Sequence, residues 1–444
     1  MDTKLKKELG LATAITTVVG MVIGSGIFFK PQSIYTSTGA PGIGMIAWIV
    51  AGLITIAGGL STAELAASIP KTGGMVVWME EAYGPKWGYL LGWVESVVFW
   101  PANIGALSIV FATQVVDLLG LGDSYITMIA VISLFFLVFM NCLGAKIGGM
   151  IGNIFTIGKI IPITVIIVMG LARGTGGVAR LLPMTAADHP VATSLGAAML
   201  ACMFAYDGWI HVGNISGELK NPQKDLPKAI VMGLTICIVV YVMINVAYLF
   251  VLPASTLAVS KTPAADVCRA LFGKNGGNIV SIGIMVSIFG TLNSNIMCGM
   301  RIPYSMGVQN KLPGSKYFAY LHPKFATPIY SGIFTAILTS VMIMTGSFNS
   351  LTDMCIFVIW IFYVMAFLAV IRLRKTHPEM ERPYKVPLYP VIPILASIGG
   401  AYIIVSNLIS QPVNAGIGLA LTLIGLPIYY ARRSKFKDIS AIDE

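Results

Sequence analysis

The hydrophobic pattern of the chain consists of long apolar runs separated by short polar connections. A run of about twenty apolar residues is long enough for a helix to cross the hydrocarbon core of a bilayer. Such runs are predicted near residues 11–36, 40–69, 86–118, 124–143, 147–172, 192–218, 227–252, 275–306, 327–346, 349–373, 388–408 and 412–433. The pattern therefore predicts an all-α polytopic membrane protein with twelve transmembrane helices.

Composition supports the same class of protein. Hydrophobic residues make up 56% of the 444 residues, and charged residues only 11%. A chain of this composition cannot cover a globule with a water-soluble surface, so the lipid bilayer is its expected surroundings. No compact soluble domain is predicted, and we therefore do not interpret the net charge of +10 as a sign of nucleic-acid binding.

Lysine and arginine are distributed unequally between the two sets of alternate connections. The cytoplasmic connections of membrane proteins are enriched in these residues. Most of the 29 lie on the side that holds both termini. The few on the other side are Lys30, Arg173, Arg180, Lys261, Arg269 and Lys274. This bias predicts a multi-pass protein of the inner (cytoplasmic) membrane with both termini in the cytoplasm.

Two of the predicted spans are interrupted by residues that resist a continuous helix. The first contains VVGMVIGSGIFFKP at residues 18–31, and the sixth contains Asp207-Gly208 near its middle. Glycine costs about 1 kcal/mol relative to alanine inside a helix, and an unwound turn in hydrocarbon leaves amides and carbonyls unpaired. Close helix packing would explain one glycine pair alone. A second interrupted helix favours another explanation, in which the unpaired amides and carbonyls of the two breaks bind a polar ligand.

The positions of the breaks indicate an internal repeat. Residues 11–172 form one predicted set of five spans, residues 192–373 form a second, and residues 388–433 add helices 11 and 12. Each break falls in the first helix of its set. Discontinuous helices at corresponding positions are typical of inverted-repeat transporters that bind their substrate near the bilayer midplane. We therefore expect residues 1–444 to form a single transporter domain.

Cysteine and histidine form no pattern that is typical of enzymes or metal sites. The six cysteines are scattered without C-x-x-C spacing, and the four histidines form no cluster. The sequence also lacks a nucleophile elbow and a metal-binding motif. We expect the protein not to be an enzyme, and to require neither a cofactor nor a metal ion.

Three segments resemble motifs of one transporter superfamily. They are GLATAITTVVGMVIGSGIF at residues 10–28, IPKTGGMVVWMEEAYG at 69–84 and GELKNPQKDLPKAI at 217–230. In this order they are similar to the first helix, the second-to-third-helix loop and the sixth-to-seventh-helix loop of the amino acid, polyamine and organocation superfamily. FAYDGW at residues 204–209 narrows the resemblance to the L-type amino acid transporter branch.

The chain most resembles the bacterial members of this branch, which exchange serine and threonine, or alanine, serine and cysteine. The resemblance implies the LeuT-like fold, a 5+5 inverted repeat with discontinuous helices 1 and 6. It also implies antiport of small neutral L-amino acids, of the alanine, serine, cysteine, threonine and glycine type, by alternating access.

The resemblance further implies which groups bind the substrate. The backbone amides that would hold its carboxylate are those of Ser25, Gly26 and Ile27. The carbonyls that would hold its ammonium are those of Val22, Phe204 and Asp207. Phe204 would also close over the substrate as an aromatic lid, and Trp209 would border the side-chain pocket.

The side chain of Asp207 has two interpretations. An acid at the break could favour cationic substrates, as in a cationic amino acid or polyamine antiporter. Alternatively, the carboxylate caps the second half-helix and points away from the pocket, as Asp does at helix N-termini. The capping interpretation is favoured, and no other acid is obviously placed in the site. Neutral substrates are therefore expected.

Lys159 is the one lysine or arginine that the pattern places inside a span. A lysine at mid-helix costs roughly 2.5–3.5 kcal/mol on insertion scales, so it is usually paired or functional, although it could also snorkel to an interface. The resemblance implies that Lys159 supplies, near the first break, the positive charge that sodium supplies in other members. Ser287 and Tyr241 would lie beside it, and transport would be sodium-independent.

Human-type members of the branch are linked to a glycoprotein through a cysteine between the third and fourth helices. Here that loop reads LLGLGDS and has no cysteine, so no heavy-chain subunit is expected. Two other functions remain open. A proton-coupled importer on the same fold would use Lys159 or Glu95 as a titrating group. A channel or a sensor is disfavoured by the paired breaks, which form a closed site more readily than a continuous pore.

Overall fold

The computed structural model of the chain describes residues 10–69, 74–144, 160–210 and 220–436. Within these ranges the regular structure is helical and contains no strand, which confirms the predicted all-α class. Lys159 and the first part of the fifth predicted span lie outside the described residues.

Several helices of the first half begin at a proline or end directly before a glycine. They are α1 (Leu11–Val22), α2 (Gly26–Thr38), α3 (Pro41–Ser68), α4 (Met75–Tyr83), α5 (Pro85–Val94), α6 (Trp100–Leu119), α7 (Ile126–Cys142) and α8 (Ile160–Arg173). A single π-helical turn, Glu95–Phe99, joins α5 to α6.

The second half contains the three longest described helices as well as several short ones. They are α9 (Val191–Tyr206), α10 (Pro222–Val251), α11 (Ala254–Val259), α12 (Pro263–Gly299), α13 (Arg301–Val308), α14 (Ser315–Phe318), α15 (Ile329–Thr345), α16 (Phe348–Thr376), α17 (Val391–Ser410), α18 (Pro412–Leu423) and α19 (Gly425–Arg432). Short 3-10 turns occur at Asp123–Tyr125, Val178–Leu181 and Arg433–Lys435.

Many of these helices are suited to a membrane. Among the described residues, eight helices or continuous helix groups are long and apolar enough to cross a bilayer, or nine if α1 and α2 count as one bent span. The shorter apolar helices α8, α9 and α15 fall within three further predicted spans. The lengths and composition thus support a multi-pass membrane protein, and the count of twelve stays a prediction.

The first predicted interruption is confirmed. The α1 helix ends at Val22, α2 begins at Gly26, and the two axes meet at an angle of 49°. Between them Ile23 has extended backbone angles, with φ −72° and ψ 97°. The chain therefore leaves the helical conformation at the place where glycine and serine interrupt the apolar run.

One compact unit comprises Met1–Gly88, Thr175–Val259 and Trp360–Ser410. In it α2 packs against α9, while α1 and α3 pack against α10. The buried carboxylate of Glu64 accepts hydrogen bonds from the Arg374 guanidinium at 2.8 and 2.6 Å and from the Val386 amide at 2.7 Å. The Glu64 carboxylate therefore links α3 to α16 and to the segment that contains Val386 within this unit.

The second compact unit comprises Tyr89–Gly174, Ser260–Ile359 and Gln411–Glu444. Here α6 packs against α7, α12 and α15. Polar side chains join these helices within the apolar interior: the Asn141 amide donates to Asn293 at 2.8 Å, and the Asn295 amide donates to Asn103 at 3.0 Å. Each pair satisfies polar groups that would be costly to leave unbonded away from water.

The start of α12 differs from the prediction. The apolar pattern begins near residue 275, whereas the helix begins at Pro263 and continues through Gly273, which has a φ of +69°. Glycine adopts this left-handed conformation without a side-chain clash, so two helical segments join across a kink. Arg269, which the charge pattern placed in an external connection, lies in this helix and pairs with Asp117 and Asp266.

Candidate functional site

The first turn of α2 carries the residues predicted to bind a carboxylate. Ser25 precedes the helix, and Gly26 and Ile27 are its first two residues. The N–H groups of a first helical turn have no partner within the helix and lie at the positive end of its dipole. All three residues are buried, with Ser25 at 3% exposure and Ile27 at 0%. Buried amides at such a position can bind an anion.

The second predicted interruption is confirmed at the end of α9. The helix ends at Tyr206, Asp207 has extended backbone angles, and Gly208 has a φ of +104°. Residues that carry a side chain rarely adopt this φ. A Cβ on Gly208 would also lie 2.9 Å from the Met21 carbonyl oxygen. Glycine is therefore required by conformation and by space. The half-helix expected to follow lies largely outside the described residues.

The two breaks contact each other within the first compact unit. A Cβ added to Gly26 would lie 2.7 Å from the Cα of Ala205 and 2.8 Å from its Cβ. The beginning of α2 thus touches the end of α9, and the end of α1 touches Gly208. These contacts bring together two carboxyl-terminal helix ends and one amino-terminal end.

Tyr241 of α10 ties the two breaks together. Its buried hydroxyl lies 3.0 Å from the Val22 carbonyl oxygen and 2.7 Å from that of Ala205, and donates its proton to this pair. Both carbonyls lie at helix ends, where intrahelical partners are missing. Trp48 packs against the Tyr241 ring with centroids 5.1 Å apart. The sequence predicted Tyr241 for the site, beside Lys159, which lies outside the described residues.

The carboxylate of Asp207 is held by neighbouring protein groups. Its Oδ1 accepts a hydrogen bond from the Tyr363 hydroxyl at 2.9 Å. The Tyr363 ring contacts Trp209, whose side chain is 1% exposed. The Tyr363 hydroxyl thus holds the carboxylate, and the capping interpretation of Asp207 stays a prediction.

Two tyrosines at the site were not predicted. Tyr363 binds Asp207, and the Tyr248 hydroxyl donates to the Ile27 carbonyl at 3.3 Å. Both are fully buried tyrosines within apolar helices. A buried tyrosine usually finds a partner for its hydroxyl, so the isolated tyrosines of the apolar runs were the available signal. Their partners could not be identified without the tertiary structure.

The remaining predicted residues lie in different places. Phe204 is buried near the end of α9 at 9% exposure. Ser287 lies in α12, in the second compact unit, at 2% exposure, and its hydroxyl has no hydrogen-bond partner within the described part of the chain. Lys159, predicted to lie beside it, falls outside that part.

A metal site was not expected from the sequence. In residues 10–69, 74–144, 160–210 and 220–436, no group of three or more histidine, cysteine, aspartate or glutamate side chains is arranged to hold a metal ion.

Comparison with known proteins identifies the family. A model of the amino acid permease family matches residues 9–429. The serine/threonine exchanger SteT of Bacillus subtilis (strain 168) is 40% identical over 435 residues, which cover 98% of each chain. The rabbit large neutral amino acids transporter small subunit 2 is 33% identical, covering 96% of this chain and 80% of its own. The human cystine/glutamate transporter is 30% identical, covering 96% and 85%.

These matches extend over almost the whole chain and include both breaks. The relatives are named as transporters or exchangers of amino acids, in agreement with the expectation that the protein is not an enzyme. The chain belongs to the amino acid permease family of the amino acid, polyamine and organocation superfamily.

Proposed function

We propose that the protein exchanges small neutral L-amino acids across the cytoplasmic membrane by alternating access and without sodium. The observation that carries the proposal is the contact between the two helix breaks, where Gly26 meets Ala205 and Gly208 meets Met21. Free amino acids carry a carboxylate and an ammonium on one carbon. The joined breaks present helix ends of both polarities, which match these two charges.

The carboxylate binds to the amides of Ser25, Gly26 and Ile27, at the positive end of α2. The ammonium binds to carbonyls at the ends of the preceding helices, from Val22, Phe204 and Asp207. The substrate thereby replaces hydrogen bonds that the unwound turns lack. Phe204 closes over the substrate, and Trp209 borders the pocket for its side chain.

Neutral substrates are supported by the contacts of two carboxylates in the first compact unit. Asp207 accepts a hydrogen bond from Tyr363, and Glu64 is paired with Arg374. The side chain of a cationic substrate would have to compete with these partners for a negatively charged carboxylate. The name of the bacterial serine/threonine exchanger, 40% identical to this chain, points to substrates of the same size and charge.

Lys159 supplies the fixed charge that makes sodium unnecessary. Within the described residues the Ser287 hydroxyl of α12 has no hydrogen-bond partner and is available for this role, and Tyr241 donates to the Val22 carbonyl of the first break. Removal of the lysine charge in Lys159→Ala should impair turnover more than expression. Exchange at the wild-type rate in this variant would overturn the role.

The protein works without a disulfide-linked heavy chain, in the inner membrane, with both termini in the cytoplasm. The connection after α6 contains no cysteine. Cys268 is 0% exposed within α12 and cannot reach a partner's thiol without rearrangement. A second subunit co-purifying in fixed ratio from native membranes would contradict this arrangement.

Substrate class and sodium independence are tested together by competition. Proteoliposomes preloaded with unlabelled serine take up labelled serine in sodium buffer or in choline buffer. We expect equal uptake in the two buffers and inhibition by excess alanine or threonine. Arginine and glutamate at the same excess should leave uptake unchanged, because moving a charged substrate side chain out of water is costly unless the site provides a dedicated partner for it. Dependence on sodium, or inhibition by arginine as strong as by threonine, would contradict the proposal.

A further inference from the structure

Lys30 occupies an unexpected place in the fold. The charge pattern assigned it to an external connection, but the structure places it inside α2, between Phe29 and Pro31, with 0% of its side chain exposed. The α2 helix continues for eight residues beyond it, to Thr38. A fully buried lysine is rare, and inside a membrane protein it generally marks a functional position.

The ammonium of Lys30 lies over the aromatic ring of Phe204. Its Nζ is 5.3 Å from the ring centroid, within the range in which a cation is attracted to the face of an aromatic ring. Phe204 is itself only 9% exposed. The attraction is stronger where water is excluded from both groups. The pair therefore joins the first turns of α2 to the end of α9.

The position of Lys30 along α2 relates this pair to the carboxylate site. Lys30 follows Gly26 by four residues, so the two lie on the same face of the helix, one turn apart. Helical side chains lean towards the N-terminus of their helix. The stem of Lys30 thus leans towards the first turn, whose amides bind the substrate carboxylate under the proposed function.

We propose that Lys30 is a positioning residue for the aromatic lid, holding the Phe204 ring against α2 through its charge. This inference rests on the proposed function, in which Phe204 closes over the substrate. The α2 helix then binds the substrate carboxylate through its first-turn amides and holds the Phe204 ring through Lys30. The Phe204 ring is thereby stabilised in one orientation when it closes over the substrate whose carboxylate is bound to α2.

The test changes the charge distribution of the ring with little change in its shape. Phe204 is replaced by phenylalanines carrying one, two or three ring fluorines, which withdraw electron density from the ring face. Serine exchange is measured in preloaded proteoliposomes, both with Lys30 present and in the Lys30→Met background. We expect the rate to fall stepwise with each fluorine, to about a tenth overall when Lys30 is present, and to stay level in Lys30→Met.

A second arm asks whether the charge is sufficient. Lys30→Met should slow exchange about tenfold, and Lys30→Arg should restore most of the rate, since a guanidinium also interacts with an aromatic face. A rate that does not respond to fluorination, or that responds equally in the Lys30→Met background, would overturn the inference. Failure of the unmodified protein to exchange serine would instead overturn the proposed function, so the two failures are distinguishable.

Discussion

Replacement of Gly26 by alanine is expected to reduce amino acid exchange to about a tenth of the wild-type rate or less. The added Cβ would lie 2.7 Å from the Cα of Ala205 and 3.3 Å from its backbone nitrogen. These are backbone atoms, so no change of rotamer relieves the clash. Overpacking of this kind costs about 1–3 kcal/mol. Relief requires α2 to move away from α9, which displaces the first-turn amides from the other break.

Gly20→Ala is the matched control for this variant. Gly20 lies in α1 of the same bent span, and a Cβ there has nothing within 4 Å. Alanine also favours the helical conformation over glycine by about 1 kcal/mol. The control should therefore exchange at the wild-type rate. Exchange rate, membrane expression and melting temperature in detergent are measured for both variants. A well-folded Gly26→Ala protein with normal exchange would contradict the assignment of the breaks to the site.

Replacement of Tyr241 by phenylalanine is expected to slow exchange about tenfold. The Tyr241 hydroxyl lies within hydrogen-bond distance of the Val22 and Ala205 carbonyl oxygens, which lie at the ends of α1 and α9. Its loss leaves at least one buried carbonyl without this donor, at a cost of about 1–3 kcal/mol. It also removes the polar link between the two breaks, so their relative position is less well fixed.

Tyr206→Phe is the control that separates the effect of the Tyr241 link between the breaks from the general effect of losing a buried hydroxyl. Tyr206 is also fully buried, and its hydroxyl donates to the Trp48 carbonyl at 3.0 Å. Trp48 lies inside α3, where its carbonyl already accepts an intrahelical hydrogen bond. We expect Tyr206→Phe to retain more of the exchange rate than Tyr241→Phe at comparable expression. Equal losses in the two variants would show that Tyr241 has no special relation to the breaks.

The sequence was sufficient to predict where the helices break. Glycine and serine in the first span, and Asp207-Gly208 in the sixth, are poor helix residues in surroundings that strongly favour helix. The structure places the interruptions at these residues, and Gly208 adopts a φ of +104° that other residues rarely tolerate. Local conformational preference decided both cases, which is why a single sequence could reveal them.

Partners brought together by tertiary packing were beyond the reach of the sequence. The Tyr241 hydroxyl bonds to a carbonyl 219 positions away along the chain. Lys30 was misplaced because a lysine at the edge of an apolar run usually marks the membrane interface. Here α2 continues past it and packs against α9, so the same residue is buried. The pattern of one segment does not reveal which second segment will cover it.

The measurement that tests the central claim most directly is uptake of labelled serine at equal pH on both sides and without sodium. Proteoliposomes preloaded with unlabelled serine are compared with proteoliposomes that are empty. An exchanger whose joined breaks must be occupied before it reorients is predicted to accumulate label only in the preloaded vesicles. Equal uptake into empty vesicles would show that the unloaded carrier returns freely, and would contradict the account of this protein as an exchanger.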